Sequence, residues 1–284
     1  MPSSKSQRVH EPFVFAALVF ALTPGFGLVA VIVAAFAFQW NFGAWWIASV
    51  QAHGHAQLFG WAGLARAELA PWALACFVAG FTLHALSQLL LAILAAQNAV
   101  ESLWGLLGRS ALALSGIVEL IGAALVGMML VSSFRRARPL APDAPILPVR
   151  LYLATALASF ALATILNAAL AIDTALRGSC LYLAVWNDAL THLMIMGFII
   201  PIALALSIRK LPLFVRLAFP PSRRLTPILA SYVAGLVLRL TEQLFGIQVG
   251  GLGDMLEGGA LLAFSRDQRR VSIGCRHCPL QPGY

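Results

Sequence analysis

Charge is scarce in this sequence. Only 11% of its 284 residues are Asp, Glu, Lys or Arg, against about 25% in an ordinary soluble domain, and 60% are hydrophobic. That balance excludes a soluble globular fold. The chemical signatures most easily read from sequence are absent too: there is no phosphate loop, dinucleotide fingerprint, HExxH or GxSxG. Cysteine is sparse, with Cys76 and Cys180 in or near apolar stretches and Cys275 and Cys278 in the tail, so no disulfide framework is implied. Cys275-Arg-His-Cys278 is half of a tetrahedral zinc site with no second pair, and is read as part of an unstructured end. The N-terminal MPSSKSQRVHEP lacks the short apolar run and small-residue cleavage site of a secretory signal.

What the chain has instead is a series of apolar runs long enough to cross about 30 Å of hydrocarbon at 1.5 Å per residue. The mean hydropathy is +0.85. The expected fold is all-α, a polytopic transmembrane helical bundle, because only helices and closed barrels satisfy their backbone groups in lipid. Residues 1–11 form a cytoplasmic N-terminus, 12–265 the transmembrane domain and 266–284 a basic cytoplasmic tail. Six spans are well defined, at about 13–38 (kinked at Pro24-Gly25), 44–65, 71–96, 109–134, 149–172 and 181–208. Weaker ones at 227–246 and 247–264 bring the total to as many as eight. The proline-rich stretch 137–148 is a cytoplasmic spacer between the two groups of four.

The net charge of +8 would suggest nucleic acid in a soluble protein, but here it is topological. With the N-terminus inside, sixteen of the nineteen basic residues fall on the cytoplasmic side, as the distribution of Lys and Arg in membrane proteins demands. Arg109 and Arg177 lie on the other side and Arg239 lies within span seven, where Glu242 at i+3 is its natural ion-pair partner. Membrane lipid, not nucleic acid, is the expected surrounding, in the bacterial inner membrane.

Polar residues inside spans are costly and therefore informative, at about 2.5 to 3.5 kcal/mol for a charge at the helix centre. The segment VQAHGHAQLFGW, 50–61, places His53 and His55 in span two, and span six carries Asn187, Asp188, His192 and Pro201. Both His55 and His192 stand eleven residues from the expected outer surface, about 16 Å deep at helical rise. Two imidazoles from different helices at one depth fit a haem held between bundle helices, and imidazole also suits copper. His53 projects about 200° away from His55 on a regular helix, so it faces a different partner unless the helix unwinds at Gly54. His84 is the weakest metal candidate, because Ser87 and Gln88 beside it fit an interhelical hydrogen-bonding group better. Glu119 is either a proton-relay group or a neutralising partner, and Asp188 joins it as a possible proton path.

The run His53-Gly-His-Ala-Gln-Leu-Phe-Gly60 resembles the His-x-His-x-x-Leu-Phe-Gly motif of the NnrS family of polytopic bacterial membrane proteins. Thr191-His192-Leu-Met-Ile-Met-Gly-Phe-Ile-Ile-Pro, followed by Arg209-Lys210, looks like a second helix of that family. The resemblance implies binding of b-type haem or copper at His53, His55 and His192, nitric oxide or another small gas as ligand, and a role in nitric oxide stress or denitrification-related metabolism. It also implies a distant similarity to the catalytic subunits of haem-copper oxidases and nitric oxide reductases. Two alternatives remain: a compact reductase-like enzyme, and a proton-coupled transporter without metal that uses His53, Glu119 and Asp188.

Overall fold

The computed structural model describes residues 30, 33–34, 37–38, 69–136, 147–215, 222–247 and 250–274. Nearly all of the first expected span, the whole of the second with His53 and His55, linker residues 137–146 and the tail from Cys275 lie outside the described residues. Among the described residues every regular element is helical. Five helical stretches are long and apolar enough to cross a membrane: Pro71–Ala96, Leu103–Ser132, Pro148–Leu176, Ala184–Arg209 and Arg223–Phe245. They coincide with the third to seventh expected spans and are consistent with a multi-pass membrane protein.

Local chemistry sets the helix ends. Helix α1, Ala70–Ala96, starts with Pro71 in its first turn, where the missing N–H costs nothing. It ends where Asn98 takes a left-handed φ of 53°, which lets the Ala99 N–H reach back to the Leu94 carbonyl at 2.8 Å. Helix α2, Leu103–Arg136, starts six residues before the expected boundary at 109. The Ser102 hydroxyl accepts from the Gly105 N–H at 3.2 Å and caps the helix there, and Arg109 is carried inside the helix, close to its end. Helix α3 is Leu147–Leu176. Helix α4, Ala184–His192, runs into a π-helical turn, Leu193–Ile199, and on into α5, Ile200–Val215. Helices α6, Ser222–Phe245, and α7, Leu252–Gly274, complete the order.

Helix α7 differs from the eighth expected span. It begins and ends later than 247–264 and carries Asp254, Glu257, Arg266, Asp267, Arg269 and Arg270, and it is not among the five helices apolar enough to cross.

The chain divides into two compact units, one of Met1–Ala137 with Ala161–Leu190, the other of Arg138–Phe160 with Thr191–Tyr284. In the first, α1 and α2 run antiparallel, with Cys76 against Gly122, Gly80 against Glu119 and Leu91 against Gly108. Helix α2 is apolar on the outside: Leu107, Leu114, Ile117, Ile121, Met128 and Val131 are exposed, while Ser115, Gly116, Glu119 and Gly122 are buried. This inverts a soluble helix and suits a hydrocarbon solvent. The second half of α3 packs on α2 through a small-residue contact, where a Cβ on Gly116 would come within 2.9 Å of both Ala168 Cα and Ala171 Cβ.

In the second unit α6 and α7 are antiparallel. Gly235 lies against Glu257 and Gly253 against Arg239, each so close that a Cβ would meet the opposite backbone at 2.8 Å. Arg224 pairs with Asp267 near one end of this contact and Arg239 with Asp254 near the other, both at 3.2 Å. A core of Val149, Tyr152, Ala205, Ile208, Leu225, Leu229 and Phe264 draws the first half of α3 and α5 onto the pair.

These contacts make opposite demands on two glycines of α2. Gly116→Val is expected to lower stability by about 1 to 3 kcal/mol through overpacking. Gly127, with nothing within 4 Å of its would-be Cβ, tolerates Ala without loss and with the gain in helix propensity. Thermal unfolding of the two variants in detergent, compared with wild type, checks the contrast.

Candidate functional site

Each unit holds one histidine-containing polar network. In the first, His84 on α1 is 1% exposed and its Nδ1 lies 3.2 Å from Ser115 Oγ on α2. The Ser115 proton is committed to the Leu112 carbonyl at 2.6 Å. The ring nitrogen is therefore the donor, so Nδ1 carries a hydrogen whether the imidazole is neutral or protonated. Ser87 uses its hydroxyl on the His84 carbonyl at 3.0 Å. His84 thus makes an interhelical hydrogen bond, to Ser115 across the helix contact.

One turn along α2 from Ser115, the Glu119 side chain is completely buried. Its Oε2 accepts from Asn167 Nδ2 on α3 at 2.9 Å, and Asn167 Oδ1 accepts from the Tyr182 hydroxyl at 3.1 Å. The Tyr182 ring stands edge-on to His84, with centroids 5.7 Å apart. Glu119 owes its position to Gly80, where a Cβ would come 2.4 Å from Glu119 Cγ. The network thus brings His84 and Glu119 near each other. Asp188 is exposed on α4 and stands outside this network.

The second network centres on His192, the last residue of α4. Its Nε2 lies 3.1 Å from Oε1 of Glu257 on α7, and Glu257 is 2% exposed. The close approach of α7 to Gly235 brings that carboxylate within reach. Immediately after His192 the helix widens into a π turn, and the cause is nine residues on. Pro201 has no N–H, and in a regular α-helix its ring would collide with the Gly197 carbonyl. Widening relieves the clash: the Ile200 N–H bonds to Ile195 five residues back. The Met196 carbonyl would next look to residue 201, which has no hydrogen to give. Tyr232 on α6 donates its hydroxyl to that carbonyl instead. Gly197 lets the widened turn lie against Ser159, since a Cβ there would come within 2.7 Å of Ser159 Oγ.

The intrahelical pair expected between Arg239 and Glu242 is present at 3.4 Å, and Arg239 also reaches Asp254 on α7. Sequence reasoning missed Asn167, Tyr182 and Tyr232 as site residues, and placed Glu257 only as an occupant of a possible eighth span. An acidic residue in a glycine-rich apolar stretch demands a donor partner, and that was the available signal for Glu257. Among the described residues no group of three or more His, Cys, Asp or Glu side chains is assembled to hold a metal ion. His53 and His55 lie outside the described residues.

The described residues thus form an all-helical fold with five helices apolar enough to cross a membrane and one histidine–polar network in each unit. No family model matches the chain, and no curated protein or solved structure does.

The Tyr232 bond gives a direct test. Tyr232→Phe strands the Met196 carbonyl in a buried position and is expected to cost about 1 to 3 kcal/mol, the penalty of an unsatisfied buried acceptor. In a Tyr232→Phe, Pro201→Ala double variant most of that loss is recovered, because replacing the proline restores a backbone donor. Chemical denaturation in detergent reads both.

Proposed function

We propose that this chain is a multi-pass protein of the bacterial inner membrane, with its N-terminus cytoplasmic, that binds copper or b-type haem through histidines and serves in the response to nitric oxide. The observation that carries this reading is the pairing of Glu257 with His192, a histidine inside the apolar stretch Ala184–Arg209. Proteins orient and strengthen a metal-ligating imidazole by giving its other ring nitrogen to a carboxylate, and the 3.1 Å contact would suit that role. The π turn that starts at the next residue adds support, because such turns occur frequently at functional sites.

The residues present fit copper better than haem. With Nε2 committed to Glu257, coordination falls to Nδ1, and copper accepts either imidazole nitrogen. His192 would supply one ligand and His55 of the His-x-His motif another, with His53 joining them only if the helix unwinds at Gly54. Bound copper or haem iron would provide an open coordination position for nitric oxide and a one-electron couple. Leu193, Met194 and Phe198, which follow His192 in the helix, are buried. Glu257 holds the imidazole in one tautomer and balances positive charge at the site.

Metal analysis and reduced-minus-oxidised absorption spectra of the purified full-length protein test the proposal. Wild type is expected to carry stoichiometric copper or a haem Soret band, lost in His192→Ala and in His55→Ala. Glu257→Gln is expected to weaken binding by about 10- to 100-fold. Absence of both signals after expression with ample copper and haem overturns it. Consumption of nitric oxide by the loaded protein would favour the reductase-like enzyme, and proton-coupled uptake by metal-free protein would favour the transporter.

A further inference from the structure

The other unit holds a carboxylate that the metal-binding reading does not use. Glu119 lies in the middle of a 30-residue apolar helix and is fully buried. It faces one titratable group from α1, His84, and reaches a second, Tyr182 in the α3–α4 connection, through Asn167; α3 itself presents the neutral Asn167 amide. The charge of His84 acts on it electrostatically. The structure also makes room for this side chain by omitting one on α1, since glycine at position 80 is the only residue type that leaves Glu119 Cγ its place. A buried carboxylate with a built cradle, a nearby imidazole and a polar chain leading away from it has the composition of a proton site.

The geometry of Asn167 makes the chain directional. Its amide has a donor end and an acceptor end, and each is used: Nδ2 donates to Glu119, and Oδ1 accepts from the Tyr182 hydroxyl. A carboxylate can only accept, so this is the orientation that ionised Glu119 requires, whereas a protonated carboxyl also has a hydrogen to give. A proton placed on Oε2 turns that oxygen into a donor facing a donor. The conflict is removed if the amide turns by half a revolution, so that Glu119 donates to Oδ1 and Nδ2 donates to the tyrosine oxygen. The two orientations differ in one proton, taken from or returned to water, and in the direction of two hydrogen bonds. No covalent bond other than O–H is made or broken.

We propose that Glu119, Asn167, Tyr182 and His84 form a proton-binding site within the membrane, in which the Asn167 amide reverses when Glu119 takes up a proton and reports the change to Tyr182. His84 is the neighbouring base that stabilises the ionised form when it is itself protonated. Its Nδ1–H donation to Ser115 holds the ring in place in either charge state, because that nitrogen carries hydrogen in both. The site lies in the unit that does not contain His192, and the proposal stands or falls independently of any metal.

Infrared difference spectroscopy on the full-length protein in liposomes, titrated from about pH 5 to about pH 10, tests it. Wild type is expected to show a protonated-carboxyl C=O band that titrates and is lost in Glu119→Gln. The phenol C–O band, assigned by its loss in Tyr182→Phe, is expected to shift with the same midpoint. Asn167→Leu removes a donor that supports the charged form more strongly than its acceptor supports the neutral one. It is expected to raise the carboxyl midpoint by about one pH unit, a tenfold gain in proton affinity, and to uncouple the tyrosine band from it. The proposal is overturned if no titrating carboxyl band disappears in a folded Glu119→Gln protein, or if the tyrosine band still follows the carboxyl in Asn167→Leu. Should Glu119→Gln fail to fold, as judged by circular dichroism, the Asn167→Leu comparison alone decides.

Discussion

A hydrocarbon solvent offers no hydrogen bonds, so every polar group that enters it must bring its partner along. That single requirement organises the described part of this protein. Helix α2 turns leucine, isoleucine and methionine outward and folds serine, glutamate and glycine inward. Three of the protein's polar side chains find an answering group on another helix: Ser115 for His84, Asn167 for Glu119, Glu257 for His192. Even the backbone obeys. Where Pro201 deprives Met196 of a donor, a tyrosine from α6 supplies one.

Partners can meet only if backbones come close, and small residues provide the approach. Gly80 admits the Glu119 side chain, and Gly116 seats α2 on Ala168 and Ala171 of α3. Gly235 and Gly253 do the same between α6 and α7, which positions Glu257 opposite His192. Glycine in mid-helix costs roughly 1 kcal/mol relative to alanine in a soluble helix, so its placement beside Glu119 and Glu257 couples packing to the polar networks. The apolar contacts and the hydrogen bonds are parts of one arrangement.

Much of this was legible in the sequence. The apolar runs at 71–96, 109–134, 149–172, 181–208 and 227–246 became helices, and Pro71 marked the start of the first. Arg239 and Glu242, three residues apart, could be paired from spacing alone. The start of α2 was read too late because Arg109 looks like a boundary, whereas Ser102 holds the cap and a long arginine side chain can reach toward the end of the helix. What could not be read were partners distant in sequence. Asn167 is 48 residues from Glu119 and Glu257 is 65 from His192, and nothing in local periodicity links such positions. The histidines of the 50–61 segment carried the strongest motif, and they lie outside the described residues.

The π turn after His192 is, in effect, one residue too many for the helix that contains it. An α-helix turns about 100° per residue, so removing a single residue between Leu193 and Ile199 would let the helix close regularly while swinging everything upstream by that angle. His192 would then be carried away from Glu257 without any change to either side chain. A single insertion or deletion at this turn would thus change which neighbour His192 meets without altering its own side chain.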